Sequence, residues 1–327
     1  MTSKMLTTRV LFAVCLGAAC RVDGYTLKEE DEPFHQDVLG TDFLRQPLHP
    51  PFICPDMTPS PSVPTSVEYV KAADVKTAIG ANGSTILSIP FEFRHVSWSI
   101  GGYGTYQNVI TLANIFKLFS PELLGPSPVR MLHGQPATVN ETGFNFAVTG
   151  HNTLVQIFPM KPLRDVQRPT LGCQLQKSFC SCLVQPEENS PELKELVEVN
   201  YEFQRRLEKL LHGERFFKKD FAVVLQPYLE KAVPPTLPDG TIDLSFFTAD
   251  CFHFTVKGHE ELAKGLWNNM FQANGEKEKI KSFSEPIKLI CPTKHPYIYT
   301  RPRVVSSAPK HSSVALTMFL ISGFHYL

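Results

Sequence analysis

The stretch from Ser190 to Met270 constrains the fold most. Ser190 suits a helix N-cap and Pro191 the first helical position, and Leu193, Leu196, Asn200, Phe203, Leu207 and Leu210 recur at three- or four-residue spacing. This pattern predicts one amphipathic helix closed at Gly213. Residues 221–226 (FAVVLQ) are nearly all apolar, as expected of a central strand in a parallel sheet, covered on both faces. Prolines follow at 234–238, and then residues 248–270 (TADCFHFTVKGHEELAKGLWNNM), where Leu262, Leu266 and Met270 predict another helix. Helix, strand, loop, helix implies a layered α/β domain with functional loops at strand ends. Upstream, residues 111–119 (TLANIFKLF) fit a helix burying Leu112, Ile115, Phe116 and Phe119, and residues 154–160 (LVQIFPM) fit a strand ending near its proline.

A chain of 327 residues, 43% of them hydrophobic, is long enough to bury a sizeable core. Its 32 basic residues cancel its 32 acidic ones, so it lacks the positive field of a nucleic-acid binder and no nucleic-acid partner is expected. The prolines of residues 47–64 mark an extended segment that wraps or links.

Lys4 and Arg9 precede the apolar run 10–16 (VLFAVCL) and the small residues Gly17, Ala18 and Ala19. That order is that of a secretory leader, here residues 1–24. Cleavage beyond Cys20 leaves Cys54, Cys173, Cys180, Cys182, Cys251 and Cys291, an even number that suits disulfides in an exported chain, although buried thiols are an alternative. Cys180 and Cys182 are too close for an easy mutual bridge, and no metal-ligand spacing accompanies them, so neither metal nor cofactor is expected. Asn82 and Asn140 open glycosylation sequons. The C-terminal tail, residues 301–327, has small residues at 306–308 and ends in an apolar stretch from Val314. It reads either as a lipid-anchor attachment signal or as a frayed end.

Asp250 stands three residues before His253. Such a pair can supply the orienting carboxylate and general base of a hydrolase. With eleven Asp and eleven His in 327 residues, about 0.4 such spacings arise by chance, so the pair alone decides nothing. A capping aspartate beside a packed histidine is the bland reading, and His151 and His259 read as surface residues.

The wider segment 243–259 (DLSFFTADCFHFTVKGH) closely resembles the last signature block of the phospholipase B branch of the GDSL (SGNH) lipases, in which acid and base share one loop and a glycine opens the final helix. Residues 67–76 (VEYVKAADVK) resemble that family's lead-in to its first strand. Residues 93–102 (FRHVSWSIGG) are similar to a phrase of the membrane-associated phospholipase B enzymes, and residues 145–150 (NFAVTG) to the second block, Asn-x-Ala-x-x-Gly. The resemblance covers much of residues 67–300, in order, behind an extended lead-in at 25–66. It implies a three-layer α/β/α fold with a parallel sheet, Asp250 and His253 as acid and base, Gly150 as an oxyanion donor, a phospholipid or lysophospholipid substrate at a membrane surface, and a secreted or cell-surface protein.

Two pieces of the family pattern are absent. Lys76 runs directly into Thr77 where the first strand and its nucleophilic Gly-Asp-Ser are expected, and after Gly150 the chain passes through Asn152 into Leu154 without a Gly-x-Asn-Asp block. The expected sheet therefore lacks its first strand and a later one, with residues 85–89 (TILSI) the obvious substitute. No Gly-x-Ser-x-Gly elbow is present, and Ser84, Ser88, Ser97 and Ser99 do not read as strand-to-helix elbows. Three outcomes follow: a lipid-ester hydrolase impaired by loss of its nucleophile, a non-catalytic lipid-binding or decoy module, or a splice product without a stable fold.

Overall fold

The computed structural model describes residues 48–80, 91–132, 136–147, 170–179, 184–211, 213–273, 276–293, 295–300 and 318–320. Residues 1–24, expected to be a leader, and Asn82, Ser84, residues 85–89, Gly150, His151, Asn152, residues 154–160, Cys180, Cys182 and nearly all of residues 301–327 lie outside the described residues.

The elements, in chain order, are β1 (Ala78–Gly80), β2 (Phe91–Glu92), α1 (Leu112–Phe119), β3 (Met131–Leu132), α2 (Val139–Thr142), α3 (Leu171–Phe179), α4 (Pro191–Leu211), α5 (Val256–Met270) and β4 (Met318–Leu320). Short 3-10 turns punctuate the connections, among them Val67–Tyr69, Ala72–Asp74 and Leu244–Phe246.

The core is built where α1 and α5 meet. Thr111 caps α1, its hydroxyl oxygen accepting from the Asn114 amide at 3.0 Å, and Leu112, Ile115 and Phe116 are buried as their spacing predicts. From α5, Trp267 lies 5.3 Å from the Phe116 ring and 5.2 Å from that of Phe119, and its indole N–H donates to the Ile290 carbonyl at 3.0 Å. Both the apolar body and the polar edge of the tryptophan are thereby satisfied. Residues 48–66 run over this core without helix or strand. Phe52 meets Trp267 edge-on, and a Cys54–Cys291 disulfide joins this segment to the far end of the domain.

Helix α4 forms where the sequence pattern places it, with the Ser190 hydroxyl oxygen accepting from the Leu193 amide. Asn200 is its buried residue and its apolar side is half-covered, so packing contributes less here than in α5.

Mixed helix and strand holds, but the sheet differs from the expected broad parallel layer. Among the described residues β1 pairs parallel with β4, in the register Ala78 to Met318 and Gly80 to Leu320, and β2 pairs antiparallel with β3. Residues 221–226 do not form a strand. The Lys218 amide donates to the Phe221 carbonyl and the Val223 amide to the Phe216 carbonyl, so the segment turns back on its own predecessors. An apolar run becomes a central strand only when neighbours occupy both of its edges, and here its bonds are spent locally.

Residues directly after the Lys76–Thr77 join do enter sheet pairing. The Lys76 carbonyl accepts from the Leu124 amide, the Ala78 amide donates to Leu124, the Gly80 amide donates to Phe144, and the Phe146 amide donates to Gly80. β1 thus lies beside Asn145, the first residue of the Asn-x-Ala-x-x-Gly segment.

Candidate functional site

Asp250 and His253 sit on a tight loop between the Leu244–Phe246 turn and α5. An antiparallel bridge joins Phe247 and Phe254 at its base, with ring centroids 5.2 Å apart, and the Thr248 amide donates to the His253 carbonyl at 2.7 Å. Gly258 lets α5 start close beneath. A Cβ there would lie 2.7 Å from the Phe254 ring and 2.8 Å from the Phe246 carbonyl oxygen, and that oxygen belongs to the backbone and cannot swing aside.

The carboxylate of Asp250 is 0% exposed and fully engaged. One oxygen accepts from the Thr248 hydroxyl (2.7 Å), the Phe252 amide (3.0 Å) and the His253 amide (2.9 Å). The other accepts from His253 Nδ1 at 2.5 Å. Burial alone would raise this carboxyl's pKa. The hydrogen bond and charge of His253, with the Thr248 hydroxyl and the His253 amide, outweigh burial and bring it down to about 2. The ionised form is the one held in place.

Nε2 lies on the far side of the His253 ring from the nitrogen that meets Asp250. It is buried and has no hydrogen-bond partner among the described residues. An imidazole held at Nδ1 by a buried carboxylate is an arrangement that can take up a proton at Nε2.

Of the other serines considered, Ser97 is fully buried and donates its hydroxyl to the Arg94 carbonyl at 2.8 Å, and Ser99 is fully buried as well. Asn145 is buried, its side-chain oxygen accepting from the Ala147 amide, and Arg94 donates to its backbone carbonyl. Asn140 is exposed on α2.

His259 corrects a reading of the sequence. It is not on the surface but 6% exposed inside α5, near the Phe254 ring, with neither ring nitrogen partnered among the described residues. Burial, with a smaller contribution from the charge of His253, lowers its pKa to about 3 and keeps it neutral. It follows Gly258 on the helix that packs under the loop, and that context pointed inward.

Two further features escaped the sequence reading. Thr248 supplies a hydroxyl to Asp250, a role that a Thr-x-Asp spacing ahead of a turn could have suggested. Cys251, inside the Asp250–His253 spacing, is bonded to Cys173 of α3, a pairing that no local pattern reveals. The described residues contain no group of three or more His, Cys, Asp or Glu able to hold a metal ion, and no described helix is long and apolar enough to cross a membrane.

Three curated proteins align with this chain. It is 29% identical over 341 residues to the rat protein "Phospholipase B1, membrane-associated", 28% identical over 340 residues to the mouse protein of that name, and 29% identical over 334 residues to the human one. Each match takes in 76% of this chain and 23% of the relative, so the chain spans under a quarter of the length of these relatives. Because 76% of 327 residues is about 249, about 92 of the 341 positions matched in the rat protein have no counterpart here. No protein-family profile matches the chain, and no solved structure does. Over 76% of its length the chain is thus similar to a segment of these phospholipase B1 proteins.

Proposed function

We propose that this chain is a phospholipase B-like lipid-ester hydrolase of the GDSL (SGNH) type whose acid–base pair is intact and whose nucleophile block is missing. Phospholipids or lysophospholipids are the substrate class at its site, on the strength of the name its relatives carry. His253 is the general base, Asp250 orients its ring, and the N–H of Gly150 is the remaining oxyanion donor.

The observation that carries this reading is the state of the histidine. Nδ1 is bound to a buried carboxylate, and Nε2, the nitrogen that would take the proton of an attacking hydroxyl, has no described partner. A deficit of roughly 92 relative positions is large enough to hold the two blocks absent from the sequence. In a serine-dependent acyl transfer, removing the nucleophile costs on the order of a million-fold in turnover, whereas losing one oxyanion donor costs about 2.7–4 kcal/mol. The missing serine therefore dominates, and turnover is expected near background.

The leader, the glycosylation of Asn82 and Asn140, and a cell-surface location belong to the same proposal. Two disulfides, Cys54–Cys291 and Cys173–Cys251, agree with passage through an oxidising compartment.

The test is ester hydrolysis with a serine-reactive fluorophosphonate probe on the purified chain. The expected result is no covalent label and hydrolysis no faster than that of His253→Ala. Robust turnover, with a labelled serine and loss of both in His253→Ala, would overturn the missing-nucleophile reading.

A further inference from the structure

We infer that the first turn of α3 is a clamp that positions Asp250, with Thr170, Gly172 and Cys173 as positioning residues; the inference rests on reading Asp250 and His253 as the acid–base pair. Three near-consecutive contacts carry it. Thr170 caps α3, its hydroxyl oxygen accepting from the Cys173 amide at 3.1 Å, and the same hydroxyl donates to the carbonyl of Ala249. Gly172 lies against that same Ala249–Asp250 peptide, where an added Cβ would be 2.9 Å from the Ala249 oxygen, 3.2 Å from its carbonyl carbon and 3.4 Å from Asp250 Cα. Cys173 is bonded through sulfur to Cys251. Thus one turn of a helix nearly 80 residues upstream binds residues 249 and 251 and leaves no room for a side chain against the peptide between 249 and 250, the Thr170–Ala249 pair being 79 apart and the disulfide 78.

The loop needs such an anchor. Every bond to the carboxylate of Asp250 comes from two or three residues away, so those bonds shape the loop without fixing it to the rest of the molecule. Cys251 has φ +59°, in the left-handed region that side chains rarely adopt, and such a conformation persists where its surroundings over-determine it. Here its amide donates to the Thr248 carbonyl at 2.9 Å while its sulfur is tied to α3. Cys173, Cys251 and Phe252, with Val184 against them, form a small apolar cluster of their own beside the main core. The clamp is therefore a built feature, distinct from the packing of α5 against α1.

Imidazole and amide signals of the full chain, followed by NMR, test the proposal without requiring turnover. The intact protein should show a far-downfield Nδ1 proton for His253 and slow exchange at the Phe252 and His253 amides. Thr170→Val, which leaves the disulfide in place, and the double variant Cys173→Ser/Cys251→Ser should each weaken the downfield signal. They should also speed exchange at those two amides by about tenfold, the scale of one lost hydrogen bond, while Leu266 and Trp267 are unaffected. Thr170→Ser should restore the intact pattern. Unchanged signals in both variants would overturn the clamp. So would a uniform loss of protection across the core, which would mean that α3 supports the fold generally. Neither outcome depends on the hydrolysis assay, so failure of the clamp and failure of the hydrolase reading are separable.

Discussion

His253 Nδ1 lies 2.5 Å from Asp250 Oδ2, while Nε2 at the far side of the same ring is buried without a described partner. The end that meets the carboxylate is held by an acid that itself accepts three further hydrogen bonds, from the Thr248 hydroxyl and the Phe252 and His253 amides.

Removal of the carboxylate should cost stability as well as chemistry. Asp250→Ala leaves the Thr248 hydroxyl, two amides and His253 Nδ1 without their acceptor in a buried loop. A loss of about 3–5 kcal/mol is expected from the shift of the urea midpoint, with Asp250→Asn intermediate. A loss below about 1 kcal/mol would show that the loop re-forms its bonds without the acid.

Acid should act in two windows. Burial, with the charge of Arg130, lowers the pKa of His95 to about 4, and burial lowers that of His259 to about 3. Both lie below the ordinary 6.5, so the unfolded chain binds more protons than the folded one between these values. The stability each contributes is complete above pH 6.5 and falls as the pH drops. The loss is about 2 kcal/mol for each histidine at pH 5. Urea melts at pH 7 and pH 5 should show this, and His259→Leu should remove about half of the difference.

Asp250 governs the lower window. Its folded pKa of about 2 is below the ordinary 3.8, so its contribution is complete above 3.8 and is lost as the pH falls towards 2. Carboxyl carbon NMR should find Asp250 still ionised at pH 3, and protonation there would contradict the hydrogen-bond arrangement described.

Cys54 and Cys291 close a loop of 237 residues. Peptide mapping without reductant should recover Cys54 joined to Cys291 and Cys173 joined to Cys251. Cys54→Ser/Cys291→Ser should lower stability by roughly 3–5 kcal/mol, the scale for releasing a long loop. Recovery of Cys251 joined to Cys180 or Cys182 would refute the pairing.

Asn140 is exposed on the short α2 helix, and the hydroxyl of Thr142, which completes its sequon, lies 2.8 Å from the Gly143 carbonyl oxygen and 3.2 Å from that of Thr138, either of which can accept its one proton. Expression through a secretory pathway should give a band that shifts on enzymatic deglycosylation, with part of that shift absent in Asn140→Gln. An unmodified Asn140 in the secreted protein would remove this support for export.

Features set by near neighbours were legible in the chain alone. Ser190 caps α4 and Asp250 reaches His253 three residues on, because each contact spans only a few residues. Features that depend on distant segments were decided by the tertiary structure. The apolar run at 221–226 turned back on itself without strand neighbours, His259 was drawn inside with the helix that carries it, and Cys251 found Cys173. Periodicity states which side chains avoid water, but the partner that covers them is chosen by packing across the whole chain, and that is where the grip on Asp250 arises.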